Sequence, residues 1–346
     1  MNRNGKPLLI LGYVKDDGVI TASHLRDTFR VDTKHRRSGI PVLLSGKHRV
    51  CGLIPSPTTV LNVGHLEALR DGGVIAYPGR NGIKRYPPAS EFTARKIAFY
   101  EADTTPTNTE TAHYPFQALA AAEFGILQAT GAVSRWRPLY RNFLHWRQEP
   151  FGVIGFGDIG AQVAQIASVT YGLSVGYFSR TRKYEAEENL GVRFFSISEL
   201  LTSHPNISLN LPRDGSQTFL EVVALTNSAT VLINTSNCVT QDIEHAVLTR
   251  LREGKMALFI TDTASAEFSL WRDSLFNPRT NRLAADLMRA GRLIVTPHTA
   301  YKSWEAVEKT LEQAAEPIRQ RWISGDFPDE TRLAVVDKLY KMIRRY

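Results

Sequence analysis

Short apolar runs recur along the chain, separated by polar stretches or by segments with helical spacing. Leu8-Leu9-Ile10-Leu11 and Val50–Ile54 read as buried strands, the second ended by Pro55 and Pro57. Val60, Val63, Leu66 and Leu69 lie on one face of a helix expected to run to Arg70. Val74-Ile75-Ala76-Tyr77 is again a strand, stopped by Pro78-Gly79, and Lys96-Ile97-Ala98-Phe99 is a further candidate. Arg80 to Ser90, rich in Gly, Pro and Asn, reads as a loop. Phe116, Leu119, Ala120, Glu123 and Leu127 predict a helix from about Pro115 to Leu127. The Trp/Arg-rich stretch Trp136 to Glu149 is the end of a connecting helix or an exposed arm.

From Phe151 onward the alternation is regular. Strands are expected at Phe151–Ile154, Leu173–Phe178, Ile207–Leu209, Thr230–Asn234, Met256–Thr261 and Leu293–Thr296. Helices are expected at Ile159–Thr170, Ser196–Thr202, Ile243–Arg252 and Trp304–Trp322. Ser196 and Glu199 have the spacing of a capping box, and Gly254 is placed to close the third of these helices. Strands of four or five residues alternating with helices indicate an α/β fold with parallel sheet. A chain of 346 residues is long for one domain, so two are expected.

Composition narrows the classes. With 43% hydrophobic and 22% charged residues the chain can bury a normal core, which excludes a disordered polyelectrolyte. The net charge is +8, yet Arg26, Arg30, Lys34, Arg36, Arg37, Lys47 and Arg49, like Arg135, Arg137, Arg141 and Arg147, are interspersed and form no long basic run. Nucleic acid is therefore not favoured as a partner; positive potential around a cleft suits a small anionic substrate. The two cysteines, Cys51 and Cys238, make no disulfide framework, and no cysteine/histidine cluster supports a metal site. No apolar stretch reaches the roughly 18 residues of a membrane span, and no secretory signal is visible. The expected location is cytoplasmic, with no membrane partner.

Gly155-Phe156-Gly157-Asp158-Ile159-Gly160 is G-x-G-x-x-G between a strand and a helix. In that context the first glycine permits a tight turn, the second lets a diphosphate approach the backbone, and the third lets helix and strand pack closely. The helix start offers amide hydrogens to negative charge. An NAD site places an acid about 20 residues later, on the adenosine ribose. Here Ser179, Arg180, Thr181, Arg182 and Lys183 stand there instead. Arg180 and Arg182 can pair with a ribose 2′-phosphate, so NADP(H) is expected as the preferred cofactor and NAD(H) as the lesser one.

These residues, with others downstream, resemble the D-isomer-specific 2-hydroxyacid dehydrogenases, the group containing glyoxylate/hydroxypyruvate reductases and phosphoglycerate and formate dehydrogenases. The resemblance runs from about Ala121 to Ile318 and rests on Ala122-Glu123, Leu209-Asn210-Leu211-Pro212, Leu232-Ile233-Asn234-Thr235-Ser236, Asp262, Glu267 and Thr296-Pro297-His298-Thr299-Ala300. It implies two Rossmann-like domains, with the cofactor domain (116–300) inserted into a discontinuous flavodoxin-like substrate domain (1–115 plus 301–346) and the cleft at their junction. It implies a homodimer using the arm around 116–150, with which Phe143, Leu144 and Trp146 are compatible. It implies that Pro212, Thr235 and Asp262 line the nicotinamide side, that His298 is the acid/base and that Glu267 orients its ring and favours its charged form.

One departure stands out. The family follows its Asn-x-Ser/Ala with Arg-Gly, and that arginine grips the substrate carboxylate; this chain has Asn237-Cys238. Asn237 cannot make the bidentate ionic contact. Arg80, beside Asn81 in the Gly79-Arg80-Asn81-Gly82 loop, is the first candidate to replace it. Cys238 reads as a packed small residue replacing glycine; a nucleophilic role is the lesser reading. The expectation is an NADP(H)-dependent oxidoreductase for a small anionic 2-hydroxy or 2-oxo acid, or a related hydroxy compound such as a phosphonate. The alternative is an inactive homologue that binds the cofactor and acts as an interaction or regulatory protein.

Overall fold

The structure is a computed structural model that describes residues 8–11, 30–32, 50–54, 63, 66, 69–77, 87–126, 146–265 and 273–324. The chain divides into two compact units, one formed by Met1–Thr107 with Ser303–Tyr346 and the other by Asn108–Lys302.

The first unit carries a parallel sheet of β1 (Leu8–Leu11), β2 (Arg30–Asp32), β3 (Val50–Ile54), β4 (Leu69–Tyr77) and β5 (Ala98–Glu101), in the order β2-β1-β3-β4-β5. That is the flavodoxin-like order. Helix α1 (Ala89–Ala94) precedes β5. The helix expected to reach Arg70 gives way earlier, because Leu69 already pairs with Val50. The pairing shifts register between Val50 and Gly52, where Asp71-Gly72-Gly73 supplies the slack. Parallel pairing overrides the helical spacing of Leu69. The strand expected from Lys96 starts at Ala98; Lys96, at φ 51, ends a turn.

Helix α2 (Thr105–Glu123) starts ten residues before the expected Pro115. Asp103 accepts hydrogen bonds from the Thr105 amide and hydroxyl, and Pro115 is carried inside the helix. Its residues Phe116 and Leu119 belong to the core of the second unit. Leu127 and the arm residues Phe143 and Leu144 lie outside the described residues. Trp146 is not an exposed arm residue: it is 1% exposed, packed against Phe116 and Tyr171 of its own chain.

Among the described residues the second unit holds seven parallel strands: β6 (Phe151–Ile154), β7 (Val175–Phe178), β8 (Arg193–Phe194), β9 (Asn206–Leu209), β10 (Val231–Asn234), β11 (Leu258–Thr261) and β12 (Leu293–Val295). Their order is β12-β11-β10-β9-β6-β7-β8. Counted from β6, this is the doubly wound 3-2-1-4-5-6 arrangement with one strand added. Helices α3 (Asp158–Gln165, prolonged by a π turn to Thr170), α4 (Tyr184–Leu190), α5 (Ile197–Ser203), α6 (Ser216–Leu225), α7 (Gln241–Arg252) and α8 (Arg282–Arg289) connect the strands. The long helix α9 (Trp304–Ser324) returns the chain to the first unit.

Both faces of this sheet are covered, and the strands alternate between two cores. Ile154, Leu232 and Phe259 pack with Leu200, Phe219 and Leu251 on one face. Phe151, Val153, Val231, Ile233 and Ile260 pack with Phe116, Val163 and Tyr177 on the other. Full burial of each large side chain contributes roughly 1.5–3 kcal/mol, which fixes register because a one-residue slip would exchange the two cores. The capping box forms as expected: Ser196 and Glu199 bond each other's backbone amides. Gly254, at φ 70, closes α7.

Candidate functional site

Strands β6 and β7 pair in register at Ile154 and Phe178, and the Gly155 amide donates to the Phe178 carbonyl at 2.9 Å. The glycine turn and the segment after β7 therefore emerge together at the carboxyl ends of adjacent strands, where doubly wound sheets bind ligands. Each glycine of the turn has a distinct role. Gly155 sits at φ 90, and a Cβ there would lie 2.4 Å from the Asn210 carbonyl oxygen. A Cβ on Gly160 would lie 1.9 Å from the Gly155 oxygen, so α3 and β6 can approach only with glycine there. Gly157 is exposed and has nothing within 4 Å of its missing Cβ. That open face, at the first amides of α3 (Asp158, Ile159, Gly160), fits a diphosphate held by backbone.

The turn after β7 leaves the sheet beside the glycine turn. Arg180 and Thr181 are exposed and Ser179 is half-buried, its hydroxyl donating to the Thr181 carbonyl. Arg182 is forked onto Glu187 of α4, at 2.8 and 2.7 Å. The fork lowers the Glu187 pKa and raises that of Arg182.

Further along the sheet, Asp262 follows β11 and is 2% exposed. Its Oδ1 accepts from the Thr296 hydroxyl at 2.5 Å and the Thr299 amide at 2.8 Å; Oδ2 accepts from the Ala300 amide at 2.8 Å. Burial raises its pKa, and these hydrogen bonds and the nearby His298 oppose the rise. Since the single Thr296 hydroxyl proton goes to Asp262, the Tyr114 hydroxyl, 2.7 Å from Thr296, is the donor in that pair. Burial raises the Tyr114 pKa well above the ordinary phenol value. The carboxylate thus pins the turn 296–300 on which His298 rides. His298 is half-buried, at φ 52, with its ring edge-on to Tyr301 at 5.3 Å.

Glu267 lies outside the described residues, as do Arg80 and Asn81. The residues flanking Glu267 are braced by Glu244 of α7, fully buried, which accepts from the Ser265 amide, the Ser274 hydroxyl and the Leu275 amide.

Between these two ends, the Asn234 amide donates to the Thr261 and Thr263 hydroxyls at 3.0 and 2.9 Å, tying β10 to β11. Thr235 is half-buried and bonded to Leu209 and Asn210. The Leu211 amide donates to the Ser236 hydroxyl at 2.7 Å and the Ser216 hydroxyl to the Cys238 carbonyl at 2.8 Å. These two bonds lay the 211–216 loop, with exposed Pro212, beside Asn237. Asn237 is exposed and makes no hydrogen bond among the described residues. Arg213, on the neighbouring loop, is an exposed cation without an ion pair there. Cys238 is buried in the core and its thiol is pushed up to about 11 by burial, so it is a packing residue and not a nucleophile.

Sequence reasoning singled out the glycines, Asp262 and His298 but missed Tyr114, Glu187, Glu244 and Arg213. An arginine directly after the Leu-Pro pair and an acid a few residues after the basic turn were signals for two of them. A tyrosine contact 182 residues away was not readable from spacing.

Comparison with known proteins shows the family. The model of the NAD binding domain of D-isomer specific 2-hydroxyacid dehydrogenases matches residues 118–300, just over half of the 346-residue chain. Glyoxylate reductases of Aeropyrum pernix and Thermococcus litoralis are 26% and 28% identical, each over 65% of this chain and 67% of the relative. Among solved structures, D-lactate dehydrogenase of Aquifex aeolicus, complexed with NAD and lactic acid, superposes with TM-score 0.66 at 19% identity, covering 92% of this chain and 96% of the other. The Escherichia coli D-lactate dehydrogenase gives 0.72 at 14%, covering 93% and 98%. This chain belongs to the D-isomer-specific 2-hydroxyacid dehydrogenases, a family of NAD(P)-dependent oxidoreductases.

Proposed function

We propose that this protein is an NADP(H)-preferring oxidoreductase that interconverts a small anionic 2-hydroxy acid, or a hydroxyphosphonate of similar size, with its 2-oxo counterpart. The observation that carries the reading is the Asp262-pinned turn, which holds His298 in a backbone conformation that only a few percent of non-glycine residues adopt. A turn fixed in this way serves a side chain that must be aimed.

The nicotinamide supplies or takes the hydride. The backbone at Gly155, Gly157 and Gly160 with Asp158 and Ile159 holds the diphosphate, and Pro212, Thr235 and Asp262 stand on the nicotinamide side. Ser179, Arg180, Thr181 and Arg182 form the adenosine end. In reduction, protonated His298 donates a proton to the developing alkoxide oxygen; in oxidation the neutral ring takes the hydroxyl proton. Glu267 orients the ring, as the family resemblance implies. Asn237 leaves the substrate anion without its usual arginine. Arg80 or Arg213 takes that place, Arg213 being supported by the two hydrogen bonds that seat its loop beside Asn237. NAD(H) is the lesser cofactor. A cytoplasmic homodimer is the setting we propose, and no helix among the described residues is long and apolar enough to cross a membrane.

A panel of 2-oxo acids and oxophosphonates with NADPH tests the reading. His298→Ala should lower kcat by about 10²–10⁴-fold with NADPH affinity unchanged. Unchanged turnover in that variant defeats the mechanism. Tight NADPH binding with no consumption across the panel supports the second reading, a non-catalytic cofactor-binding protein, which is favoured by Asn237 having no hydrogen bond among the described residues.

A further inference from the structure

The cations in the turn after β7 are not equivalent. Arg182 donates through Nε to Glu187 Oε1 at 2.8 Å and through Nη2 to Oε2 at 2.7 Å. Glu187 Oε1 also accepts from the Tyr177 hydroxyl at 2.8 Å, and the tyrosine oxygen accepts from the Lys183 amide at 2.7 Å. The Arg182 guanidinium lies 4.9 Å from the centre of the Tyr184 ring and 5.7 Å from that of Phe194. Arg182 is thus held by a bidentate carboxylate and bordered by two rings. Arg180, two residues earlier, is exposed and has no hydrogen bond or ion pair among the described residues.

We infer that Glu187 is a cofactor-selectivity residue: it latches Arg182 away from the ribose 2′-phosphate, leaving Arg180 to read that phosphate. This rests on the NADP(H) reading of the site. A bidentate arginine fork saturates one carboxylate or one phosphate edge at a time. While Glu187 occupies it, Arg182 contributes no net charge toward an arriving phosphate. The pair is neutral as a whole, so neither member draws the phosphate while the fork is closed. A dinucleotide site usually carries an acid at the strand end; here an acid stands on the following helix instead and acts on an arginine. The latch holds the preference for NADPH over NADH below what two free arginines would give.

Binding of NADPH and of NADH to the full chain, followed by nucleotide fluorescence, tests this. Arg180→Ala should weaken NADPH by about tenfold or more and leave NADH within about twofold. Arg182→Ala should leave the NADPH-to-NADH ratio within about twofold of wild type. Glu187→Gln should raise that ratio about fivefold by freeing Arg182, and adding Arg182→Ala should abolish the gain. Glu187→Ala serves as a second variant, with thermal melting confirming that each protein is folded. An unchanged ratio in both folded Glu187 variants overturns the inference, as does an Arg182→Ala loss equal to that of Arg180→Ala. A wild type that prefers NADH overturns the NADP(H) reading instead; the latch then still stands or falls on the change that Glu187→Gln makes to NADPH affinity.

Discussion

The glycine turn after β6 and the histidine turn after β12 are both bends at the carboxyl end of one sheet, but they are built by opposite means. The first is shaped by the absence of side chains: two glycines sit where any Cβ would strike backbone, and a third leaves an open face. The second is shaped by one side chain, the Asp262 carboxylate, which accepts three hydrogen bonds from the turn it holds. A site made of backbone is local and robust to everything but a methyl group. A site made by a buried carboxylate is tunable, and it depends on residues far away in sequence.

The sharpest way to break this comparison is within the glycine turn. Gly155→Ala combines a left-handed backbone with a 2.4 Å clash, and should cost about 4 kcal/mol of stability, seen as a large fall in Tm. Gly157→Ala, with open space around its Cβ, should fold normally and lose only about tenfold in dinucleotide affinity. Equal Tm losses in both would mean that packing, and not ligand approach, fixes the middle glycine. For the histidine turn, Asp262→Ala leaves three part-buried donors without their acceptor and should cost about 2 kcal/mol. Its kcat should fall further than its stability loss alone accounts for at a temperature where it is folded. A normal kcat there would show that the turn holds its shape without the carboxylate.

The smallest effect concerns Cys238, which is buried in one of the two cores. Its folded pKa is raised from 9.0 to about 11. The unfolded thiol therefore ionises first as pH rises, and the stability this group contributes below pH 9 is lost between about 9 and 11. Denaturant melts of wild type and Cys238→Ala should diverge over that window, by about 1 kcal/mol at pH 10. Parallel curves would place the thiol in contact with water.

The same contrast explains what could be read in advance. Six of the strands from Phe151 to Val295 announced themselves because each is a short apolar run bounded by turns, and the glycine turn because its spacing is local; β8, only Arg193–Phe194, carries no such run and was not expected. The start of α2 was hidden by Pro115, which reads as a helix opening but sits inside one. Leu69 looked helical and became strand because its partner, Val50, lies elsewhere in the chain. In the site, His298 and Asp262 could be named only through resemblance, since nothing in their separation says that one pins the turn of the other. Tyr114 and Glu187 were invisible for a similar reason: each acts through a neighbour that only folding supplies.

His298 itself, at φ 52, stands where glycine would be more comfortable. Replacing it with glycine would relax the bend by about 1 kcal/mol of backbone strain, at the cost of the ring contact with Tyr301 and the attraction to Asp262. Backbone ease and the proposed proton transfer thus pull this one position in opposite directions, and a variant that settles for the easier bend would keep the glycine turn intact while giving up the imidazole.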